Sequence, residues 1–220
     1  MNHPSLFTRV QFQALLLIPF TLCILHFAIF SGCGQKEEPK VQKPDITLEN
    51  LQTAYAKAFR HVEMYKLFLA QAEKERNANA AALYRAVIAS ETIHANAHAE
   101  LMKKRGVQPA EVNVDPVKVG TVIQTLKMAT SSEEIEAESM FPNLLRTAMA
   151  ENFTEAAEQF GRCRDGDSRQ LELLKDAYER GGKIQKVTYT ICPTCGYIIS
   201  SDATEECPVC KTRKPNFQKV

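Results

Sequence analysis

Near its C-terminus the chain reads Cys192-Pro-Thr-Cys195-Gly-Tyr and then Cys207-Pro-Val-Cys210, two Cys-x-x-Cys pairs with eleven residues between them. Four thiolates at this spacing can converge on one tetrahedral ion, and both zinc and iron accept such a site. Gly196, next to the second cysteine, allows a tight turn that leaves backbone amides free to donate to the sulfurs. Residues 183–220 therefore read as a small metal-binding domain with a core of its own. Disulfide pairing is the competing use of such cysteines in an exported protein, and the paired metal spacing argues against it. Cys23 and Cys163 stand in apolar surroundings and read as packing residues.

Ahead of this tail, residues 47–105 contain no Pro or Gly, and apolar residues recur at steps of three and four. That is helical spacing. A first helix carries the stripe Leu51, Tyr55, Ala58, Val62, Tyr65, Leu69, Ala72, with Thr47 as its expected N-cap, and the chain turns near Arg76-Asn77. A second carries Tyr84, Val87, Ile88, Glu91, His94, Ala95, His98, Leu101 and Met102, and stops at Gly106. Residues 106–118 hold two prolines without a period and read as a crossover. A third helix follows through Val122, Leu126, Ala129, Glu133, Glu136, Met140 and Leu144, with a kink expected at Pro142. A fourth runs from about Phe153 through Phe160, Cys163, Asp167, Leu171 and Leu174 to Gly181-Gly182. Gly161 and Gly166 are expected to loosen it. Two helical hairpins joined by one long crossover predict a mainly α, ferritin-like four-helix bundle over 47–182.

Glu91, His94, Glu133, Glu136 and Asp167 occupy positions of the apolar period that face the core, unlike Glu73, Glu75, Glu155 or Glu158. Several buried carboxylates without a partner would cost many kcal/mol or take up protons, so a metal among them is the economical explanation. Residues three apart share a helix face, so Glu91-x-x-His94 offers an oxygen and an imidazole to one ion, and Glu133-x-x-Glu136 offers two oxygens. His61 and His98 lie on the same faces, either as further donors or as core histidines.

The first 33 residues differ in kind: Arg9 is their only charge, 14–30 are nearly all apolar, and Ser31-Gly32 precede Cys33. This reads as a signal peptide in which Phe30-Ser31-Gly32-Cys33 resembles a bacterial lipobox, with lipid attachment at Cys33 and the rest of the chain on the exported side of a membrane. An uncleaved membrane helix is the alternative. Residues 34–46 are charged and proline-bearing, a flexible linker. With a formal charge of +1 and no long basic run, nucleic acid is excluded as a partner.

Asn50-Leu51 with Ala54-Tyr55-Ala56, Tyr84-Arg85 leading to Glu91-x-x-His94, and Glu133-x-x-Glu136 before Met140-Phe141-Pro142 resemble the first three helices of the rubrerythrin family. Cys-x-x-Cys-Gly-Tyr and Cys-Pro-x-Cys, with Phe217 beyond, resemble its terminal rubredoxin domain, so the likeness covers roughly 47–220. The resemblance implies iron in both places. Cys192, Cys195, Cys207 and Cys210 would hold the rubredoxin-type iron, and Glu91, His94, Glu133, Glu136 and Asp167 the bundle metal. It further implies a redox donor protein, peroxide or oxygen as substrate, and allows a homodimer. The chain departs from the family where a first-helix ligand Glu is replaced by Ala58, and where a fourth-helix Glu-x-x-His is replaced by Asp167-Ser168-Arg169-Gln170. An incomplete bundle site is expected from those two changes.

Three functions follow for the sequence to divide among: a peroxide-reducing oxidoreductase, a membrane-tethered electron carrier whose bundle has lost catalysis, and a structural zinc protein.

Overall fold

The structure is a computed structural model that describes residues 45–200 and 204–220. The expected signal peptide, Cys33 and the linker through residue 44 lie outside the described residues, among which no helix is long and apolar enough to cross a membrane.

Helix α1 (Ile46–Lys74) is capped by Asp45, whose side chain accepts from the Leu48 amide at 3.1 Å. Thr47, expected at the cap, lies inside the first turn, and its hydroxyl donates to Glu151 at 2.7 Å. The aspartate one residue before the helix is an equally good cap and leaves Thr47 free to tie the helix to a distant carboxylate. Arg76, at a φ of 56°, and Asn77, whose side chain caps α2 (Ala78–Lys104), make the hairpin turn at the expected place. The crossover leads to Thr121, which forms a reciprocal capping box with Gln124 at the start of α3 (Val122–Ile135).

The helix expected to kink at Pro142 changes type one turn earlier. A π-helical turn, Glu136–Met140, joins α3 to α4 (Phe141–Ala150), and Pro142 falls in the first turn of α4, where its missing N–H costs no hydrogen bond. Helix α5 (Thr154–Glu179) ends before Gly181 and Gly182, both with positive φ. The chain thus makes a four-rod bundle in which α3, the π turn and α4 form one rod.

Each rod carries apolar residues toward both ends and polar ones between. One cluster contains Tyr65, Phe68, Leu83, Tyr84, Leu126 and Leu174. The other contains Leu51, Met102, Phe141, Leu144, Phe153 and Phe160. In sequence order the buried polar residues His61, Glu91, His94, Glu133, Glu136, Asp167 and Gln170 fall between the two on every rod.

The tail forms a three-stranded antiparallel sheet from β1 (Thr190–Ile191), β2 (Ile198–Ile199) and β3 (Gln218–Lys219), in the order β2-β1-β3. The expectation of a separate core does not hold. Tyr189, Ile191 and Ile198 pack within the same apolar cluster as Tyr84 and Leu174, because strands so short cannot bury their own apolar face. Only the cysteines, with Tyr197, Val209 and Phe217 against them, form a group apart. Asn79 donates to the Ile184 carbonyl at 2.6 Å and Arg169 donates to Ser200 Oγ at 2.5 Å, fixing the tail to α2 and α5.

Candidate metal centres

The four tail cysteines are free thiols whose sulfurs all lie within 4.8 Å of one another, with Cys192 and Cys210 3.3 Å and Cys195 and Cys207 3.5 Å apart. Disulfide sulfurs would be about 2.05 Å apart, and a tetrahedral metal with bonds of about 2.3 Å spaces its sulfurs by roughly 3.8 Å. The cluster has the second geometry, which overturns disulfide pairing. The contact between the Cys192 and Cys195 thiols holds Cys192 down to about 4 and pushes Cys195 up, so the pair retains a proton that a metal would displace. Gly196 takes a φ of 77° at the turn.

In the bundle, Glu91, His94 and Asp167 form one group of donors and His61, Glu133 and Glu136 another, each with donor atoms within 4.8 Å of one another. The five expected residues all face the interior, and His61 joins them. His94 Nδ1 lies 3.3 Å from Glu91 Oε1 and 3.3 Å from Asp167 Oδ1. His61 Nδ1 lies 3.4 Å from Glu133 Oε1. Both Nδ1 atoms lack a hydrogen-bond partner, as do Glu133 Oε2, Asp167 Oδ2 and Gln170 Oε1. Orphaned buried donors and acceptors of this kind are costly unless a cation lies among them, so these residues fit a metal.

The electrostatics agree. Burial, reinforced by the charges of Glu136, Glu91 and Asp167, pushes the Glu133 carboxyl well up, and burial together with Glu91 raises Asp167 to about 7. Burial also opposes ionisation of Glu91, but the charge and hydrogen bond of His94, with His61 and Gln170, hold it below the ordinary value. A metal would release the protons that this interior otherwise retains.

Other residues hold the donors in place. The buried Tyr65 hydroxyl donates to Glu133 Oε1 at 2.6 Å. The Gln170 amide donates to Glu91 Oε1 at 2.6 Å and to Asp167 Oδ1 at 3.2 Å, so its nitrogen faces carboxylates rather than a metal. Lys57 Nζ reaches Glu136 Oε1 at 3.0 Å from a partly exposed position. Ala58 is buried on the face of His61 and offers no donor atom. His98 belongs to neither group. It stacks on Phe141, touches Cys163, and is pushed down to about 3 by burial and then by the charge of His94, which makes it a neutral core histidine.

The tail lies directly against this interior. His94 Nε2 is 3.1 Å from the Cys195 carbonyl oxygen, and Ser90 Oγ donates to the Gly196 carbonyl at 2.7 Å. A Cβ at Gly196 would lie 2.7 Å from His94 Nε2, and one at Gly166 would lie 3.0 Å from both His94 Cε1 and Nε2. Gly166 therefore makes room for the imidazole and is no mere weakness in α5. Neither glycine's role nor that of Ser90 has a periodic signal in the sequence; Tyr65, by contrast, stands in the apolar stripe and was visible only as a core residue.

The family model for rubrerythrin matches residues 49–178. Rubrerythrin-2 of Clostridium acetobutylicum is 27% identical over 180 residues, covering 80% of this chain and 97% of the relative. Nigerythrin of Nitratidesulfovibrio vulgaris is 27% identical over 171 residues, covering 78% and 85%. Among solved structures, nigerythrin in a mixed-valence state superposes with a TM-score of 0.73 at 27% identity, covering 79% of this chain and 86% of that one. A Desulfovibrio desulfuricans bacterioferritin, at 18% identity and a TM-score of 0.59 over 63% of this chain and 82% of that one, shares the bundle fold.

Proposed function

Since the chain belongs to the rubrerythrin family, whose members bind iron, we propose that it is a lipid-tethered oxidoreductase in which electrons pass from a four-cysteine iron to iron in the bundle and on to peroxide. Cys192, Cys195, Cys207 and Cys210 would hold the first, and Glu91, His94, Glu133, Glu136 and Asp167 the second. The observation that carries this reading is the placement of His94, with Nδ1 toward Glu91 and Asp167 and Nε2 at the Cys195 carbonyl.

Iron held by these residues would supply two electrons to each peroxide, which with two protons leaves as two waters, and a redox donor protein would return the two electrons. The chain's own residues set the conditions. A carbonyl oxygen only accepts, so His94 keeps its proton on Nε2 and turns the Nδ1 lone pair inward. Ser90 and Gly196 hold the two parts at that distance. Burial and the charge of Glu133 keep the Tyr65 phenol protonated, so it stays a donor to that carboxylate. Apolar residues at both ends of the bundle keep bulk water from the interior.

The test is to reduce the iron-loaded full chain, mix it anaerobically with peroxide, and follow the visible absorption of the four-thiolate iron. Re-oxidation at a rate independent of protein concentration supports transfer within one chain. A second reading, an electron carrier without peroxidase activity, draws on Ala58 and on the Gln170 amide facing Glu91. It stands if peroxide re-oxidises the tail iron no faster than it oxidises free ferrous iron. The tether rests on the leader sequence, and Cys33→Ala should leave an unprocessed precursor that takes up no fatty acid.

A further inference from the structure

We propose that His61 is the metal ligand supplied by α1 in place of a carboxylate at Ala58, so that the bundle holds two ions, one by His61, Glu133 and Glu136 and the other by Glu91, His94 and Asp167. This rests on the reading of the bundle as a metal centre and specifies its donor set.

His61 is 2% exposed, and its ring is oriented as a ligand's would be. Nε2 lies 2.9 Å from Ser132 Oγ and 3.0 Å from Glu136 Oε1, partners for a ring N–H. Nδ1 has no hydrogen bond and faces Glu133 Oε1 at 3.4 Å and Glu91 Oε2 at 3.9 Å. When a cation enters, Nδ1 gives up any proton it shares with the carboxylates, and its lone pair and their oxygens converge on the ion. His94 repeats the arrangement, with Nε2 anchored on the Cys195 carbonyl and Nδ1 unpaired before Glu91 and Asp167. Two buried imidazoles, each fixed through one nitrogen and open at the other toward a carboxylate pair, are what two ions require.

The sequence register places His61 consistently. It follows Ala58 by three residues, as Glu136 follows Glu133, and Ala58 precedes Glu91 by 33 residues while Glu133 precedes Asp167 by 34. The donor has moved by one helical turn along the same face of α1. The charges also close: four carboxylates against two divalent ions leave the interior neutral, with two neutral imidazoles. Lys57 occupies one oxygen of Glu136 and leaves that carboxylate's other oxygen to an ion.

The experiment measures iron per folded chain on the iron-loaded full-length protein, together with the nitrogen hyperfine spectrum of the bundle pair in a one-electron-reduced state. The unsubstituted chain is expected to hold three irons, one on the tail cysteines and two in the bundle, with nitrogen couplings from two imidazoles. His61→Ala should lose one bundle iron, binding it weaker by at least about tenfold, the lower end of what loss of even an outer-shell partner costs. It should keep the helical signal and the tail colour. Ala58→Glu with His61→Ala should return the count to three with one imidazole coupling. Three irons and two imidazole couplings in His61→Ala would overturn the assignment of His61 while leaving the bundle a metal centre. A count of one in the unsubstituted chain would sink that wider reading and this one together; a count of two, unchanged in His61→Ala, would make His61 and Lys57 counter-charges and overturn the proposal alone. Should His61→Ala fail to fold, the couplings of the unsubstituted protein decide, since a single imidazole there contradicts it.

Discussion

His94 Nε2 lies 3.1 Å from the carbonyl oxygen of Cys195, so a residue of the four-thiolate cluster and a residue of the carboxylate-rich interior are one hydrogen bond apart within a single chain. The contact exists because the ring is enclosed by two residues without side chains, Gly196 of the tail and Gly166 of α5. Its geometry is thus set from both sides.

Gly196→Ala is expected to break this contact. The new Cβ would stand 2.7 Å from His94 Nε2 and 3.0 Å from the Ser90 carbonyl oxygen, at a φ of 77° that favours glycine. The backbone strain alone costs about 1–2 kcal/mol, and the tail must also move outward. Re-oxidation of the tail iron by peroxide should slow while both metal contents stay unchanged. An unaltered rate would show that electrons do not leave the tail through His94.

Replacing any one of Cys192, Cys195, Cys207 or Cys210 with Ala should abolish the thiolate-to-iron absorption and leave the helical circular dichroism. The shared core adds a second expectation. Tyr189, Ile191 and Ile198 pack among bundle residues, so loosening the tail exposes part of the bundle's apolar surface. Loss of about 1–2 kcal/mol of that packing lowers Tm by about 2–4 °C per kcal/mol for a domain of this size. A bundle melting at its original temperature after the tail has lost its metal would restore the picture of two independent cores.

The architecture was legible because it depends on periodic signals. Apolar residues at three- and four-residue steps, the aperiodic crossover and the thiol pairs each repeat a pattern that backbone geometry demands. Glu91, His94, Glu133, Glu136 and Asp167 stood out because charge in an apolar stripe contradicts burial. What escaped depends on contacts between distant segments. Ser90 and Gly166 have their meaning only once the tail and the His94 ring are in place. Thr47 reads as the cap from its residue type alone, whereas Asp45 takes that place and Thr47 is engaged by Glu151, over a hundred residues away. His61 was ambiguous because a lone histidine on a buried face has no pattern of its own.

Glu151 offers a pH test at that same helix end. Its carboxylate accepts from the Thr47 hydroxyl at 2.7 Å, the Thr47 amide at 2.9 Å and the Ile46 amide at 3.3 Å. The Thr47 hydroxyl, then the backbone amides, hold the carboxyl below its ordinary value of 4.5. The folded state therefore binds this proton less readily than the unfolded chain does. Its contribution to stability is complete above the ordinary glutamate value and is lost as pH falls through the lowered folded value. Glu151→Gln should lower Tm at neutral pH, with the difference from the unsubstituted protein shrinking to nothing in acid. A difference that persists in acid would assign the effect to packing rather than charge.

Gln170 is placed to govern how firmly an ion at Glu91, His94 and Asp167 would be held. Its amide donates to Glu91 Oε1 at 2.6 Å and to Ser90 Oγ at 3.2 Å, while its own oxygen is buried without a partner. The side chain thus orients two candidate carboxylate ligands, Glu91 and Asp167, without itself presenting nitrogen to a metal. Gln170→His places an imidazole three residues after Asp167, the spacing that His94 has after Glu91, and an imidazole is the better ligand for iron. Iron bound in the bundle should then survive a chelator longer than in the unsubstituted protein. Gln170→Leu removes the amide and adds no donor, so Glu91 loses a hydrogen bond that helps hold its carboxyl below the ordinary value, and iron should leave sooner. The order of retention is therefore His, then Gln, then Leu. If the His and Leu variants release iron at the same rate, the fourth helix does not limit binding at this centre, and the weak point lies instead at Ala58 and His61 on the first.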